Sequence, residues 1–352
     1  MEIRKLNTLR GLAALIVVVS HYSNATLIMG GLLGFGGGQF GVMIFFVLSG
    51  FLMSYLYLGR EFTASSVTMF AAARVARIVP LFFFLVFASY ALCKFGAGPI
   101  LYEITDRGLL VAHLLLLFGG AEFWTIPPEI QFYALFVLLW WLYSKRPVYL
   151  FAVIAALVIA CSWQDFTNWE TQFAGMRIHF MILNAMPYLL GGVLLGLLYR
   201  SWQAPPRWQS HAYAFAPLAL LIFYPEIFSL LRGADHAMWR EPGLVVAVVL
   251  VFFAVAFLTP DDNPVLCNRI GDYVGKVSFS IYLLHDPLLR ATVSYAWDNP
   301  VLYPCLYFAG VLLVATMSYH LIEAPSRSAI RAFARNLIDS SGRAQREQPS
   351  RG

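Results

Sequence analysis

Arg10 and His21 lie in one apolar run, Leu9 to His21, with ten residues between them. On an α-helix eleven residues make almost a whole number of turns, so both side chains share one face, roughly 16 Å apart along the axis. If that helix crosses a bilayer, Arg10 stands at its entry and His21 near mid-depth. An ionisable group at that depth points to function, and an imidazole can take the proton from an attacking hydroxyl. The plainer alternative is a neutral histidine bonded to a neighbouring helix. Arg74 and Arg77, three apart, share a helix face just before Ile78-Val79-Pro80. Guanidinium forks match phosphate oxygens bidentately, which makes the pair a candidate clamp for a phosphorylated ligand; arginines that tie a span to lipid headgroups are the competing reading.

Three further stretches hold polar groups in apolar settings. Trp124-Thr125-Ile126-Pro127-Pro128-Glu129 runs on to Tyr133, and its Glu129 is expected to face a cavity. An acid after two prolines also suits a helix's first turn, and the two roles are compatible. Ser280-Ile281-Tyr282-Leu283-Leu284-His285-Asp286-Pro287 begins just after Lys276, which puts His285 at about mid-membrane. Asp286 points about 100° away from it and is not simply its partner. Glu323 lies near the inner end of the last span with His320 and Pro325, as an interfacial acid or as a partner for Arg10 or for Arg74 and Arg77.

The elements that must position these groups are membrane spans. Hydrophobic residues make up 60% of the chain and charged residues 12%, about half the charge of a soluble domain. The expected class is all-α and polytopic, with residues 1–325 as one membrane domain and 326–352 as a basic polar tail. Arg4 and Lys5 precede the first apolar run as in a signal peptide, but no small-residue cleavage site follows, so the run reads as a retained span. Clear runs are Leu9 to Ile28, Gly38 to Leu58, Ile78 to Phe95, Val148 to Trp163, Ile178 to Tyr199, Tyr213 to Leu231, Gly243 to Leu258, Val277 to Trp297 and Val301 to Ile322. Between Arg107 and Lys145 one net crossing puts about eighteen of the 24 Lys and Arg on one side, which the positive-inside rule makes the cytoplasm. Ten spans follow, both termini inside, with residues 108–128 as a re-entrant or tilted segment whose backbone protein or water must satisfy.

Other signals are weaker. Cys93, Cys161, Cys267 and Cys305 have neither disulfide nor zinc-ligand spacing, and no metal is expected. The basic balance, pI near 9.0, is a topology signal rather than a nucleic-acid one. Gly34 to Gly38 reads as an outside turn, and Arg327, Arg331 and Arg335 as one face of a membrane-surface helix.

Taken together, the chain resembles the integral-membrane acyltransferase-3 family, which includes bacterial O-antigen and exopolysaccharide O-acetylases. The resemblance rests on Arg10 with His21, Phe45-Phe46-Val47-Leu48-Ser49-Gly50-Phe51-Leu52, Arg74 and Arg77 with Pro80, Trp124-Thr125 to Glu129 with Gln131-Phe132-Tyr133, Ser280 to His285 with Pro287, and Glu323 with Pro325. They occur in the family's order over nearly the whole chain. Pro127-Pro128 and Asp286 depart from its usual pattern. The resemblance implies a bacterial inner-membrane enzyme, in the form without a fused extracytoplasmic domain, that carries an acyl group, usually acetyl, from cytosolic acyl-CoA to a hydroxyl of a carbohydrate or lipid-linked glycan.

On this reading His21 is the base or a transient acyl carrier. Arg10, Arg74 and Arg77 hold the nucleotide of acetyl-CoA, and the distance from Arg10 to His21 suits a long, thin donor. Glu129 orients the sugar hydroxyl or the histidine, and His285 is a second donor or acceptor. Trp124, Tyr133, Ser280, Tyr282 and Glu323 complete the candidate site. Membrane lipid is a further partner, and nucleic acid is not. The rival reading is a proton-coupled transporter or flippase for a small anion or glycan, with the mid-membrane histidines as a relay; the lack of internal repeats stands against it.

Overall fold

A computed structural model describes residues 3–96, 101–161, 170–173, 176–179, 182–232, 238–295 and 299–347. The described chain is built from α1 (Arg4–Thr26), α2 (Gly38–Tyr57), α3 (Ala64–Lys94), α4 (Arg107–Leu114), α5 (Ile126–Lys145), α6 (Pro147–Cys161), α7 (Ile182–Ser201), α8 (Pro225–Arg232), α9 (Pro242–Phe253), α10 (Arg269–Thr292), α11 (Leu302–Ser318) and α12 (Ala324–Glu347). Among the described residues, five helical runs are long and apolar enough to cross a membrane: Gly38–Tyr57, Ala64–Lys94, Ala121–Lys145, Ile182–Ser201 and Leu302–Ser340. Helix α1 and helix α10, which carry the ionisable residues, pack on each other beside this set.

Side-chain caps set several helix starts. Thr63 accepts from Ser66 N ahead of α3, Asp106 from Leu109 N ahead of α4, and Asn268 from Gly271 N ahead of α10. Each satisfies one of the donors a helix N-terminus leaves open. Pro127 and Pro128 sit in the first turn of α5 with Glu129 beside them, the placement expected at a helix start, although no side chain bonds the open donors there.

The structure corrects several expected spans. Tyr213 to Leu231 is two pieces, a 3-10 helix over His211–Phe223 and the short α8, broken at Tyr224-Pro225. Pro217 within the first piece removes a backbone donor that an α-helix would use. The run expected from Ile178 opens instead in a short antiparallel pair, β1 (Glu170–Phe173) and β2 (Met176–His179), before α7 begins at Ile182. Within the expected run Val148 to Trp163, the described residues form α6 up to Cys161, and Trp163 lies outside the described residues. Helix α4 is shorter still at eight residues, and after a turn a 3-10 helix over Ala121–Thr125 leads into α5. The residues of the expected tail are helical from Ala324 to Glu347.

Two hydrophobic clusters form the core. One gathers α2, α3, α5, α7 and α9 around Phe46, Phe51, Phe70, Phe136, Trp140 and Tyr188; the other joins α1, α10 and α11 through Val18, Tyr22, Ile281, Tyr303 and Tyr307. Helix α1 belongs to both, Ala13 and Val17 to the first and Ala14 and Val18 to the second. Its 100° per residue then places the Arg10/His21 face in the seam between the two packed faces.

Glycine allows that close assembly. A Cβ on Gly50 of α2 would lie 2.0 Å from Leu189 O of α7, and one on Gly275 of α10 would lie 2.0 Å from Asn7 O of α1. Backbones that touch through small residues are a common way for membrane helices to pack. Gly50→Ala is expected to destabilise the protein by about 1–3 kcal/mol or to prevent its recovery from membranes, since a backbone carbonyl cannot yield as a side chain can. Gly310→Ala, whose Cβ would meet Leu288 Cδ2 at 3.4 Å, is the matched control. Thermal unfolding in detergent reads both, and equal melting temperatures would refute the packing argument.

Candidate active site

His21 lies near the C-terminal end of α1 with its side chain about a third exposed. Its Nδ1 is 3.3 Å from Glu122 Oε1 and 4.0 Å from Asp286 Oδ1. Carboxylate oxygens accept, so Nδ1 carries the proton and the lone pair of the neutral ring is left on Nε2. Glu122 is buried, and its Oε2 has no protein partner. Asp286 is held by Arg290, whose Nη2 is 2.5 Å from Oδ2. A carboxylate on Nδ1 orients an imidazole and stabilises its protonated form, which turns Nε2 into a general base.

His285 packs edge-on against His21, ring centroids 5.0 Å apart. Its Nδ1 faces the carbonyls of Ile281 at 3.2 Å and Tyr282 at 2.8 Å. Carbonyls only accept, so this nitrogen is the donor, and the buried Nε2, which has no partner among the described residues, presents a lone pair to the site. His21, Glu122 and His285 each bring a ligand atom within 4.8 Å of the others, close enough to hold a metal ion. Coordination would occupy the lone pairs that base catalysis needs. The expectation of no metal came from cysteine spacing, and this cluster is assembled from three separate segments.

The segment that delivers Glu122 is held in an unusual backbone. Leu116 and Ala121 have φ of +58° and +46°, a region that residues with a Cβ rarely adopt. His113 spans the turn, with Nδ1 2.7 Å from Leu109 O and Nε2 accepting from Gly120 N at 3.3 Å. The carbonyl of Glu122 accepts from Tyr282 Oη at 3.1 Å and from Thr125 Oγ1 at 3.3 Å. Tyr282 therefore fixes backbone at the site, and Trp124 points away into a ring cluster with Phe46 and Trp239.

Arg10, Arg74 and Arg77 line a cavity of about 730 Å³ at the other end of the same seam, together with Arg4, Arg269, Lys276, Arg327 and Arg331. Asp272 is the one acid among its lining residues. The Nε atoms of Arg10, Arg74 and Arg327 are buried and lack hydrogen-bond partners among the described residues. A buried donor left unmade costs about 1–3 kcal/mol, so three around one basic cavity call for an anionic occupant. Arg74 is further set among the rings of Tyr57, Phe70 and Tyr133, each 5.8 Å from its guanidinium carbon.

A smaller space of about 40 Å³ shares Arg77, Ser278 and Phe279 with this cavity and reaches Thr125 and Tyr282, the two residues that bond the Glu122 carbonyl. Glu129 lines it, but its Oε1 accepts from Tyr133 Oη at 2.5 Å and from Ser49 Oγ at 3.1 Å. The acid beside His21 is thus Glu122, and Glu129 stands in the passage. Glu323 is buried and accepts from Ser280 Oγ and, at 2.5 Å, from Arg327 Nη2, so its partner is an arginine of α12 rather than Arg10, Arg74 or Arg77, the ones expected from the sequence.

Sequence reasoning missed Glu122, Asp286 as a partner of His21, and Arg290. Glu122 sits two residues before Trp124 and reads as a loop acid. The spacing of Asp286 and Arg290, four apart on a helix, was the available signal for an ion pair.

A family model described as an acyltransferase domain matches residues 3–320. A Staphylococcus aureus protein named "Putative O-acetyltransferase" is 23% identical over 92% of this chain and 57% of its own length. A Bacillus subtilis protein named "Putative peptidoglycan O-acetyltransferase" is 24% identical over 95% of this chain and 56% of its own. The S. aureus protein named "O-acetyltransferase OatA" is 22% identical over 94% and 58%. The chain therefore spans a little over half the length of these relatives. No solved structure matches it.

His113→Leu removes the ring that ties Leu109 O to Gly120 N while keeping an apolar side chain of similar size. Amide exchange over residues 116–123 is expected to rise by at least tenfold, with exchange in α2 and α7 unchanged. Unaltered exchange in that turn would show that the strained backbone is held by other contacts.

Proposed function

The chain belongs to the integral-membrane acyltransferase-3 family, and from that premise we propose that it is an O-acyltransferase that moves an acetyl group from acetyl-CoA to a hydroxyl of a carbohydrate or lipid-linked glycan. The observation that carries this reading is that one face of α1 bears a carboxylate-bound imidazole towards one end and lines a guanidinium-rich cavity at the other. The basic cavity faces the cytosol, as positive-inside charge placement favours. Both termini inside, in a bacterial inner membrane, complete the topology.

The diphosphate and 3′-phosphate of coenzyme A satisfy the open guanidinium donors of Arg10, Arg74 and Arg327. The pantetheine arm enters past Arg77, Ser278 and Phe279. At about 40 Å³ the passage holds little more than one water, so Phe279 and its neighbours turn aside when the arm enters. The thioester then meets His21. An acceptor hydroxyl that arrives from the opposite side gives its proton to His21 Nε2, and its oxygen bonds to the acetyl carbon. The carbon–sulfur bond breaks, and the imidazolium returns the proton to the leaving thiolate. Glu122, supported by Asp286 and Arg290, stabilises that imidazolium. The lone pair on His285 Nε2 accepts from a second hydroxyl of the acceptor. The alternative order, in which His21 Nε2 carries the acetyl group first, uses the same groups.

A glycan acceptor is supported by the peptidoglycan named for the B. subtilis relative. The family match favours group transfer over transport, because a transporter would leave the carboxylate-backed base without a substrate bond to act on. Purified protein in detergent, with EDTA, acetyl-CoA and a soluble glycan, is expected to form ester-linked acetyl groups. His21→Ala is expected to lose activity by about 10²-fold or more, and Glu122→Gln by about tenfold or more with little change in KM. A His21→Ala protein that acetylates at the wild-type rate would remove the base; loss of wild-type activity in EDTA with rescue by zinc would make the cluster a metal centre.

The double variant Arg74→Ala/Arg77→Ala is expected to raise KM for acetyl-CoA by tenfold or more and to leave membrane insertion intact. An unchanged KM would return both residues to the role of lipid anchors.

A further inference from the structure

A second cavity, of about 500 Å³, opens at the same end of the molecule and differs from the first in character. The rib between them is the first turn of α1 with the last turn of α2. Arg4 and Asn7 line the basic cavity while Ile3 and Lys5 line the second; Tyr57 lines the basic one, Tyr55 the second, and Leu56 both. Charge is nearly balanced in the second cavity. Lys5 Nζ pairs with Asp261 at 2.9 Å and donates to Thr259 O at 2.9 Å, and Arg200 donates to Tyr55 O at 3.0 Å. What remains are two tyrosine rings, Tyr55 and Tyr199, with centroids 5.5 Å apart and planes at 82°, and the amides of Gln203 and Gln209.

This composition does not suit a phosphate. It suits a flat heteroaromatic ring with donors and acceptors on its edge: a ring face for stacking, amides that both donate and accept, and a carboxylate that accepts. Resting on the donor reading above, we propose that this second cavity is the nucleobase subsite, taking the purine of the acyl donor over the Leu56 rib while its phosphates stay among the arginines. Leu56 lines both cavities, so at that point a single side chain separates them, a step that a ribose and its glycosidic bond can cover between phosphate and base.

The test compares two donors, acetyl-CoA and S-acetyl-4′-phosphopantetheine, which keeps the thioester and a phosphate but has no base. In Tyr199→Leu and in Gln203→Ala, KM for acetyl-CoA is expected to rise by about tenfold, with KM for S-acetyl-4′-phosphopantetheine unchanged and kcat unchanged for both. Gln203 is exposed, so its variant keeps the test free of folding effects. Arg74→Ala, on the basic side, is expected to raise KM for both donors. A KM ratio between donors that stays at the wild-type value in both variants overturns the subsite, whether neither KM moves or both move together. A wild-type protein that makes ester from neither donor instead overturns the transfer reading, and the subsite with it.

Discussion

An ionised side chain facing hydrocarbon costs on the order of 3 kcal/mol or more at the middle of a membrane helix, and α1, which carries Arg10 and His21 on one face, is not among the described helices long and apolar enough to cross but packs beside them. The rest of the architecture answers that constraint. Helix α1 buries Ala13 and Val17 against one cluster and Ala14 and Val18 against the other. Its polar face is then left in the seam, where partners and cavities can solvate it. The glycine contacts between α1 and α10 and between α2 and α7 bring the two packed faces close enough for that seam to be narrow.

The seam is polarised along its length. At one end guanidinium groups outnumber acids and keep open donors, and at the other Glu122 and Asp286 gather around two imidazoles. Under the proposed function, this gradient is what a donor with phosphates at one end and a thioester at the other would need. Buried ions also need their own partners, and these are supplied locally: Asp286 by Arg290, Glu323 by Arg327 and Ser280, Glu129 by Tyr133 and Ser49. Glu323 lies in a π-helical turn over Tyr319–Glu323, a local widening of the helix that often marks functional positions.

Glu122 shows what the chain invests in placing one carboxylate. Two residues in left-handed backbone, a histidine that bridges the turn and two hydroxyls on its own carbonyl hold the peptide that carries it. Left-handed backbone costs about 1–2 kcal/mol per residue where a Cβ is present, a cost the turn accepts to bring an acid from a loop against a helix-borne imidazole.

Spacing along single helices was legible in the sequence. The shared face of Arg10 and His21, the shared face of Arg74 and Arg77, the short α4 and the proline-capped start of α5 follow from helical period, length and terminus chemistry, which are local properties. The break at Tyr224-Pro225 and the strand pair before α7 were not read, because an apolar run gives its length more clearly than its backbone class. The partner of His21 could not be read either. Glu122, Asp286 and His285 reach it from two other segments, and Glu129, the acid that sequence pattern singles out, is turned toward Tyr133 and Ser49. The sequence by itself determined a lipid-embedded helical chain with a basic end and a face bearing a guanidinium and an imidazole. Which carboxylate meets that imidazole, and which side chains gather with the arginines around one cavity, was decided by the tertiary structure, because contacts between segments a hundred residues apart depend on how the helices cross.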